Sequence, residues 1–217
     1  MVNTITVIGD THGCHHGLIL PPADMLIHTG DVTAYGTEPE LYDFLVWFIQ
    51  QPFKYKVFVA GNHDICLDRT NPPFVDELPS NVFYLNNQSI FIEGLYIFGS
   101  PVSPFQAGMA FNRHRGCAIE CEWQLIPFNT HILITHTPPS GILDDGVGCE
   151  ALRRHVEQKI PKLHLFGHAH ESYGQLLRGQ TLFVNAALSS SPDFINSSNY
   201  TIDNKPVLLT MSIWANE

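Results

Sequence analysis

Asp10 and His12 stand two residues apart directly after the apolar run Thr4–Ile8. Asp31 follows Gly30 after Met25–Thr29, and Asn62, His63 and Asp64 follow Gly61 after Lys56–Ala60. His136 closes the run His131–Thr135, and His168 and His170 follow Leu163–Phe166 and Gly167. Carboxylates, carboxamides and imidazoles are the groups that hold divalent cations, and this mixture suits Mn, Fe or Zn better than an all-oxygen Ca or Mg site. No thiolate set accompanies them, which argues against a structural zinc site. Asp10 and His12 can bend toward one ion. The two oxygens of Asp31 allow it to bridge two. A single junction of this kind means little. Five in order, each with the polar residues after the apolar run, predict a multi-metal site along one edge of a buried sheet, because open α/β sheets place ligands just outside the carboxyl ends of their strands.

The elements that must hold these residues can be read around them. The apolar runs are short and rich in Val, Ile and Phe, as buried strands are. A helix is expected between the second and third, with Thr37 as N-cap, Glu38 and Glu40 in the first turn, Leu41, Phe44, Leu45 and Phe48 at helical spacing, and Pro52 ending it. Residues 71–79 read as a Pro-rich surface loop. Ser89–Ile92 and Leu95–Phe98 flank Glu93-Gly94, and Tyr173–Leu177 and Leu182–Asn185 flank Arg178-Gly179-Gln180, two hairpin signals. Helices are expected over Ala118–Ile126 and Cys149–Ile160, each stopped by a proline, and a last strand over Val207–Ile213. Ser189–Lys205 is polar and irregular and reads as a long loop. The pattern predicts a single domain over residues 1–217, α/β in class, with two sheets packed between helices.

The bulk properties narrow the partners. With 217 residues and a hydrophobic fraction of 44%, the chain can bury one sizeable core. A formal charge of -10 with only 11 Lys+Arg is a poor match for long nucleic acid, which needs cationic stripes to displace counterions. No leader and no membrane-length apolar run is visible. Five cysteines, an odd number without a Cys-x-x-Cys pair, read as reduced thiols in a cytoplasmic protein. Cys117 and Cys121, four apart on the expected helix, read as small core fillers. Outside the five junctions, His15, His16, His28, His114, His131, His155 and His164 read as structural or surface residues, and Cys14 with His16 as surface loop.

The order Asp-x-His, Gly-Asp, Gly-Asn-His-Asp, lone His and Gly-His-x-His resembles that of the calcineurin-like metallophosphoesterases. Ala110-Phe111-Asn112 before Arg115-Gly116, His136-Thr137-Pro138-Pro139, Val147-Gly148-Cys149-Glu150 and the run from Pro161 to Glu171 are similar to the metallophosphoesterase-domain-containing proteins, a group with animal brain and bacterial members. The resemblance implies a four-layer fold in which two mixed sheets form a sandwich flanked by helices. It also implies two divalent ions, manganese favoured over iron and zinc. Asp10, His12 and His170 would hold the first ion, Asn62, His136 and His168 the second, and Asp31 would bridge them. His63 would touch the phosphate and support the leaving group without binding metal. Some members of the group lack the first histidine of Gly-His-x-His, which is His168 here.

Protein Ser/Thr phosphatases of the superfamily carry Gly-Asp-x-Val-Asp-Arg-Gly and Gly-Asn-His-Glu; here Gly30-Asp31 continues Val32-Thr33-Ala34, and Asp64 follows His63. The resemblance therefore points to a phosphodiesterase acting on a small, cyclic or linear nucleotide diester, with a hydroxide held between two ions as nucleophile. Asn62, Arg113 and Arg115 are candidate substrate contacts, and Phe105 and Phe111 read as core. A monoesterase or nuclease on the same site, or a non-catalytic metal-binding scaffold, are the alternatives.

Overall fold

Successive side chains of a strand point to opposite faces, so a strand that is apolar throughout must be covered on both. Five strands of this chain meet that demand by lying inside a four-layer stack. The computed structural model describes residues 1–70, 72–190 and 200–211. In chain order its strands and helices are β1 (Thr4–Ile8), β2 (Met25–His28), α1 (Glu38–Gln50), β3 (Tyr55–Phe58), α2 (Ile65–Arg69), β4 (Val82–Tyr84), β5 (Gln88–Ile92), β6 (Leu95–Ser100), β7 (Ser103–Pro104), β8 (Asn112–Arg113), α3 (Cys117–Gln124), β9 (Ile132–Thr135), α4 (Glu150–Lys159), β10 (Leu163–Phe166), β11 (Gly174–Arg178), β12 (Thr181–Asn185) and β13 (Val207–Thr210).

The first sheet has the order β13-β1-β2-β3-β4 and the second β11-β12-β10-β9-β6-β5. In the first, only β13 runs antiparallel to its neighbour. In the second, β12, β10, β9 and β6 are parallel and the edge strands β11 and β5 antiparallel. Ile5, Val7, Ile27 and Val57 of one sheet pack with Ile97, Ile132, Ile134, Leu165 and Val184 of the other. The alternate residues face outward: Leu26 and Phe58 join Leu41, Phe44, Leu45 and Phe48 of α1. Phe98, Leu133 and Phe166 join Ile119 and Trp123 of α3 and Leu152 and Val156 of α4. This is the expected sandwich of two mixed sheets flanked by helices.

The local signals explain the elements. Thr37 Oγ1 accepts from the Glu40 N–H, and the Glu40 carboxylate accepts from the Thr37 N–H at 3.0 Å, a capping box that fixes the start of α1. Glu93 and Gly94, at φ of 48° and 95°, turn β5 into β6, as a two-residue hairpin with both central φ positive requires. Two readings need correction. Cys117 and Cys121 are exposed rather than core fillers, because Ile119 and Trp123 occupy the buried stripe of α3 and residues two positions away point to the opposite side. Phe105, at 53% exposure, stacks on His114 at 4.3 Å instead of entering the core, whereas Phe111 is buried as expected. The last strand pairs to Thr210; Ser212 and Ile213 lie outside the described residues, as do residues 191–199 of the expected loop and Asn71. Among the described residues no helix is long and apolar enough to cross a membrane.

Candidate metal centre

The five junctions converge, but on two sheets rather than one edge. Those after β1, β2 and β3 belong to the first sheet and those after β9 and β10 to the second. The single-edge expectation fails because an apolar run shows that a strand is buried and not which sheet buries it. Two groups of side chains form at this seam. Ligand atoms of Asp10, His12, Asp31 and His170 lie within 4.8 Å of one another, and so do those of Asp31, His136 and His168. Asp31 is common to both. Its Oδ2 is 3.7 Å from His12 Nε2 and 3.4 Å from His136 Nε2, so one oxygen faces both groups. Asn62 Oδ1 adds to the second group, 2.8 Å from His136 Nε2. In the first, His170 Nε2 stands 3.3 Å from Asp10 Oδ1 and 3.5 Å from His12 Nε2.

The backbone is bent to bring these groups in. Asp10, His12, Asp31 and His168 have φ of 50°, 43°, 55° and 67°, a left-handed conformation that non-glycine residues adopt rarely and that collects at functional sites. Two glycines make room. A Cβ on Gly167 would lie 1.9 Å from Asp10 Oδ2, and one on Gly61 2.2 Å from Asp31 Oδ1. The rings are aimed by main-chain carbonyls: His12 Nδ1–H donates to Thr33 O at 3.2 Å and His136 Nδ1–H to Thr29 O at 3.1 Å, which turns each Nε2 inward. Asp64 is the clamp beneath. Its buried carboxylate accepts from the N–H groups of Gly61, Val32 and Thr33 and from Thr33 Oγ1, tying the loop of Asn62 to the loop of Asp31. Burial, and then Asp31, raise its pKa to about 6.

The electrostatics fit divalent cations. Burial opposes ionisation of Asp31 and Asp10, yet the surrounding imidazoles hold both carboxyls below their ordinary range. Burial pushes His12 and His168 down to about 4, leaving them neutral as ligands must be. His136 is the exception: burial lowers it, but Asp31 overrides this and lifts it to about 9, so an incoming cation has a proton to displace. Asp10 Oδ2 and His170 Nδ1 are buried without a hydrogen bond. An unbonded, buried carboxylate oxygen is a group that a bound cation would satisfy.

His63 stands beside this set without joining either group. Its N–H donates to Asp31 Oδ1 at 2.8 Å, and its Nδ1–H donates to Ala34 O at 2.9 Å, so that Nε2 has no hydrogen bond among the described residues. A main-chain carbonyl thus orients the ring. Arg113 and Arg115 are held elsewhere: Arg113 Nε is 2.6 Å from Glu122 Oε1, and Arg115 binds Glu150 and the carbonyl of Gly148. Tyr200 was not foreseen. Its ring stacks on His12 at 3.7 Å and 8°, and it lines a cavity of about 470 Å³ with His12, Gly13, Cys14, Ala34, Tyr35, Glu40 and Asp43. The only sequence signal was that it lies in the irregular segment after Ser189.

A family model described as calcineurin-like phosphoesterase matches residues 4–172, the stretch that carries all five junctions. The chain belongs to this family. Its members are metal-dependent phosphoric ester hydrolases, and the Asp/His groups described above form the corresponding candidate metal site. The chain is also similar to human metallophosphoesterase domain-containing protein 1, at 34% identity over 94% of this chain and 69% of that one. A UPF0046 protein of Caenorhabditis elegans is 37% identical over 84% of this chain and 69% of its own. A crystal structure with 14% identity superposes with a TM-score of 0.58 over 86% of this chain and 91% of that one, which speaks to the fold alone.

Proposed function

We propose that this phosphoesterase hydrolyses a small phosphodiester, a nucleotide diester in particular, at a dinuclear centre. Asp10, His12, Asp31 and His170 would hold one ion and Asp31, Asn62, His136 and His168 the other, with manganese the favoured metal. When bound, two such ions supply an acidified water as nucleophile and neutralise charge on the phosphoryl oxygens. The chain's own contribution to the chemistry is His63. With Nδ1–H given to Ala34, its Nε2 can contact a phosphoryl oxygen and, when protonated, hand its proton to the departing alkoxide.

The observation that carries the diester preference is the wall of the cavity at the centre. Tyr35, Tyr200, Glu40 and Asp43 line it, with no Lys or Arg among them. A monoester dianion would meet two carboxylates on this wall with no Lys or Arg to offset them. A diester carries one negative charge, and its substituents can use the tyrosine faces. The net charge of -10 supports a small substrate over long nucleic acid, and five free thiols support a reducing, cytoplasmic setting. Arg113 and Arg115 would reach a substrate only by leaving Glu122 and Glu150.

The test is a comparison of kcat/KM on a chromogenic diester and the matching monoester after reconstitution with Mn2+, followed by a screen of cyclic and linear nucleotide diesters. Preference for the diester is expected. Preference for the monoester would refute the diester assignment, and metal binding with no turnover of either would establish a scaffold.

A further inference from the structure

Beyond the centre, a second set of metal-ligating side chains comes together on the surface next to it. His15 and His16 lie in a short 3-10 turn, Cys14–Gly17, and Asp43 lies on α1. Ligand atoms of all three fall within 4.8 Å of one another, and none is shared with the groups at the centre. His15 Nε2 is 3.2 Å and His16 Nε2 2.9 Å from the same oxygen, Asp43 Oδ2. A tetrahedral zinc with bonds of about 2.0–2.2 Å spaces its ligand atoms roughly 3.3 Å apart, close to what is seen.

The state of His15 separates this set from an ordinary surface ion pair. Its side chain is fully buried, yet neither ring nitrogen makes a hydrogen bond. Asp43 Oδ2 lies 3.2 Å from Nε2. Two ligands of one ion stand at such a distance, and Asp10 and His170 show it at the centre, where Nε2 and Oδ1 are 3.3 Å apart. The His15 ring cannot swing out to find water, because Trp47 at 5.0 Å and Phe44 at 5.6 Å pack against it. Burial, and then His16, push its pKa down to about 4 against the pull of Asp43, so it is a neutral ligand at physiological pH.

We propose that His15, His16 and Asp43 form a third cation site, separate from the dinuclear centre and selective for zinc-class divalent ions. Two imidazoles and one carboxylate favour such an ion over magnesium or calcium. Three protein ligands leave a fourth position for water. Asp43 also lines the cavity that contains His12 and Tyr200, so the ion would place positive charge on the wall that now carries Glu40 and Asp43. It would also tie the turn that follows His12 to α1.

The full chain is stripped with a chelator, loaded with Zn2+ alone, freed of unbound zinc by gel filtration and analysed for metal content. His16→Ala and Asp43→Asn, at side chains 62% and 55% exposed, leave the core untouched. Each is expected to bind one equivalent less than the parent chain. Equal content in parent and variants would overturn the proposal. The same difference is read in an Asp31→Asn background, where cobalt(II) should give a tetrahedral absorption that His16→Ala diminishes; absorption unchanged by His16→Ala overturns it. Because the readout is the change caused by His16 and Asp43, it does not depend on what Asp31 holds, and failure here is distinguishable from failure of the dinuclear reading.

Discussion

The two sheets bring different equipment to the seam. The first sheet, through the ends of β1, β2 and β3, supplies every oxygen, from Asp10, Asp31 and Asn62, together with His12 and His63. The second, through β9 and β10, supplies only imidazoles, His136, His168 and His170. Three of the left-handed residues are on the first edge and one on the second. Behind each edge stands a buried neutral histidine that steadies a threonine adjoining the ligands: His28 Nε2 is 3.0 Å from Thr11 Oγ1, and His164 Nε2 is 2.8 Å from Thr135 Oγ1. The first edge therefore carries the charge that would retain cations, and the second would complete and tune the set.

The largest effect should follow from Asp31→Asn, which removes the one charge facing both groups. Both ions should be lost in elemental analysis, and kcat/KM should fall by more than the ~10²–10³-fold typical of a single electrostatic group. A variant that kept both ions would break the view that charge on the first edge retains them. His63→Asn should leave metal content unchanged and lower kcat by ~10²–10⁴-fold; full activity would remove His63 from the chemistry. Gly167→Ala reverses the direction of the comparison, since the second edge then damages the first. Its Cβ would press on Asp10 Oδ2, so metal affinity should fall by about 10–100-fold, as when a ligand is misaimed. Unchanged affinity would mean that the seam is looser than the 1.9 Å approach implies.

The smallest effect is a dependence of stability on pH. Burial depresses His28 and His164 from an ordinary 6.5 to about 3. A depressed imidazole takes its proton in the unfolded chain first, so its contribution is complete above pH 6.5 and is lost as pH falls toward 3, by about 1.4 kcal/mol per pH unit for each group. Burial alone acts on His164, whereas Asp10 and Asp31 partly support a charge on His28. Denaturant midpoints measured from pH 7 to pH 4 should fall, and His164→Gln, which keeps the donor to Thr135, and His28→Gln should each flatten the fall. Equal slopes in all three chains would rule out these imidazoles as the source.

What the sequence disclosed about the site was local. Each candidate ligand lies within four residues of its strand, so Asp10, His12, Asp31, Asn62, His136, His168 and His170 could be picked out from apolar runs and the glycines that punctuate them. The capping box at Thr37 and the turn at Glu93-Gly94 were legible for the same reason. Contacts across long stretches of chain were not. Nothing near Cys14 announces that its thiol meets the carbonyl of Tyr200, and nothing near His15 announces Asp43. Arg113 looked free for substrate because its partner Glu122 faces it only once α3 has formed. The division of the strands between two sheets depends on pairings such as β1 with β13, which join the two ends of the chain.

The left-handed residues at the centre have a consequence for how the protein tolerates change. Asp10, His12, Asp31 and His168 each hold a conformation that costs of order 1–3 kcal/mol. Glycine would relieve that cost, and asparagine tolerates the conformation well. Substitutions that abolish the centre can therefore leave a more robust fold than the parent, the usual trade between stability and activity. A screen for thermal tolerance alone would collect such dead variants first, and only a screen that also demands turnover would keep these four side chains.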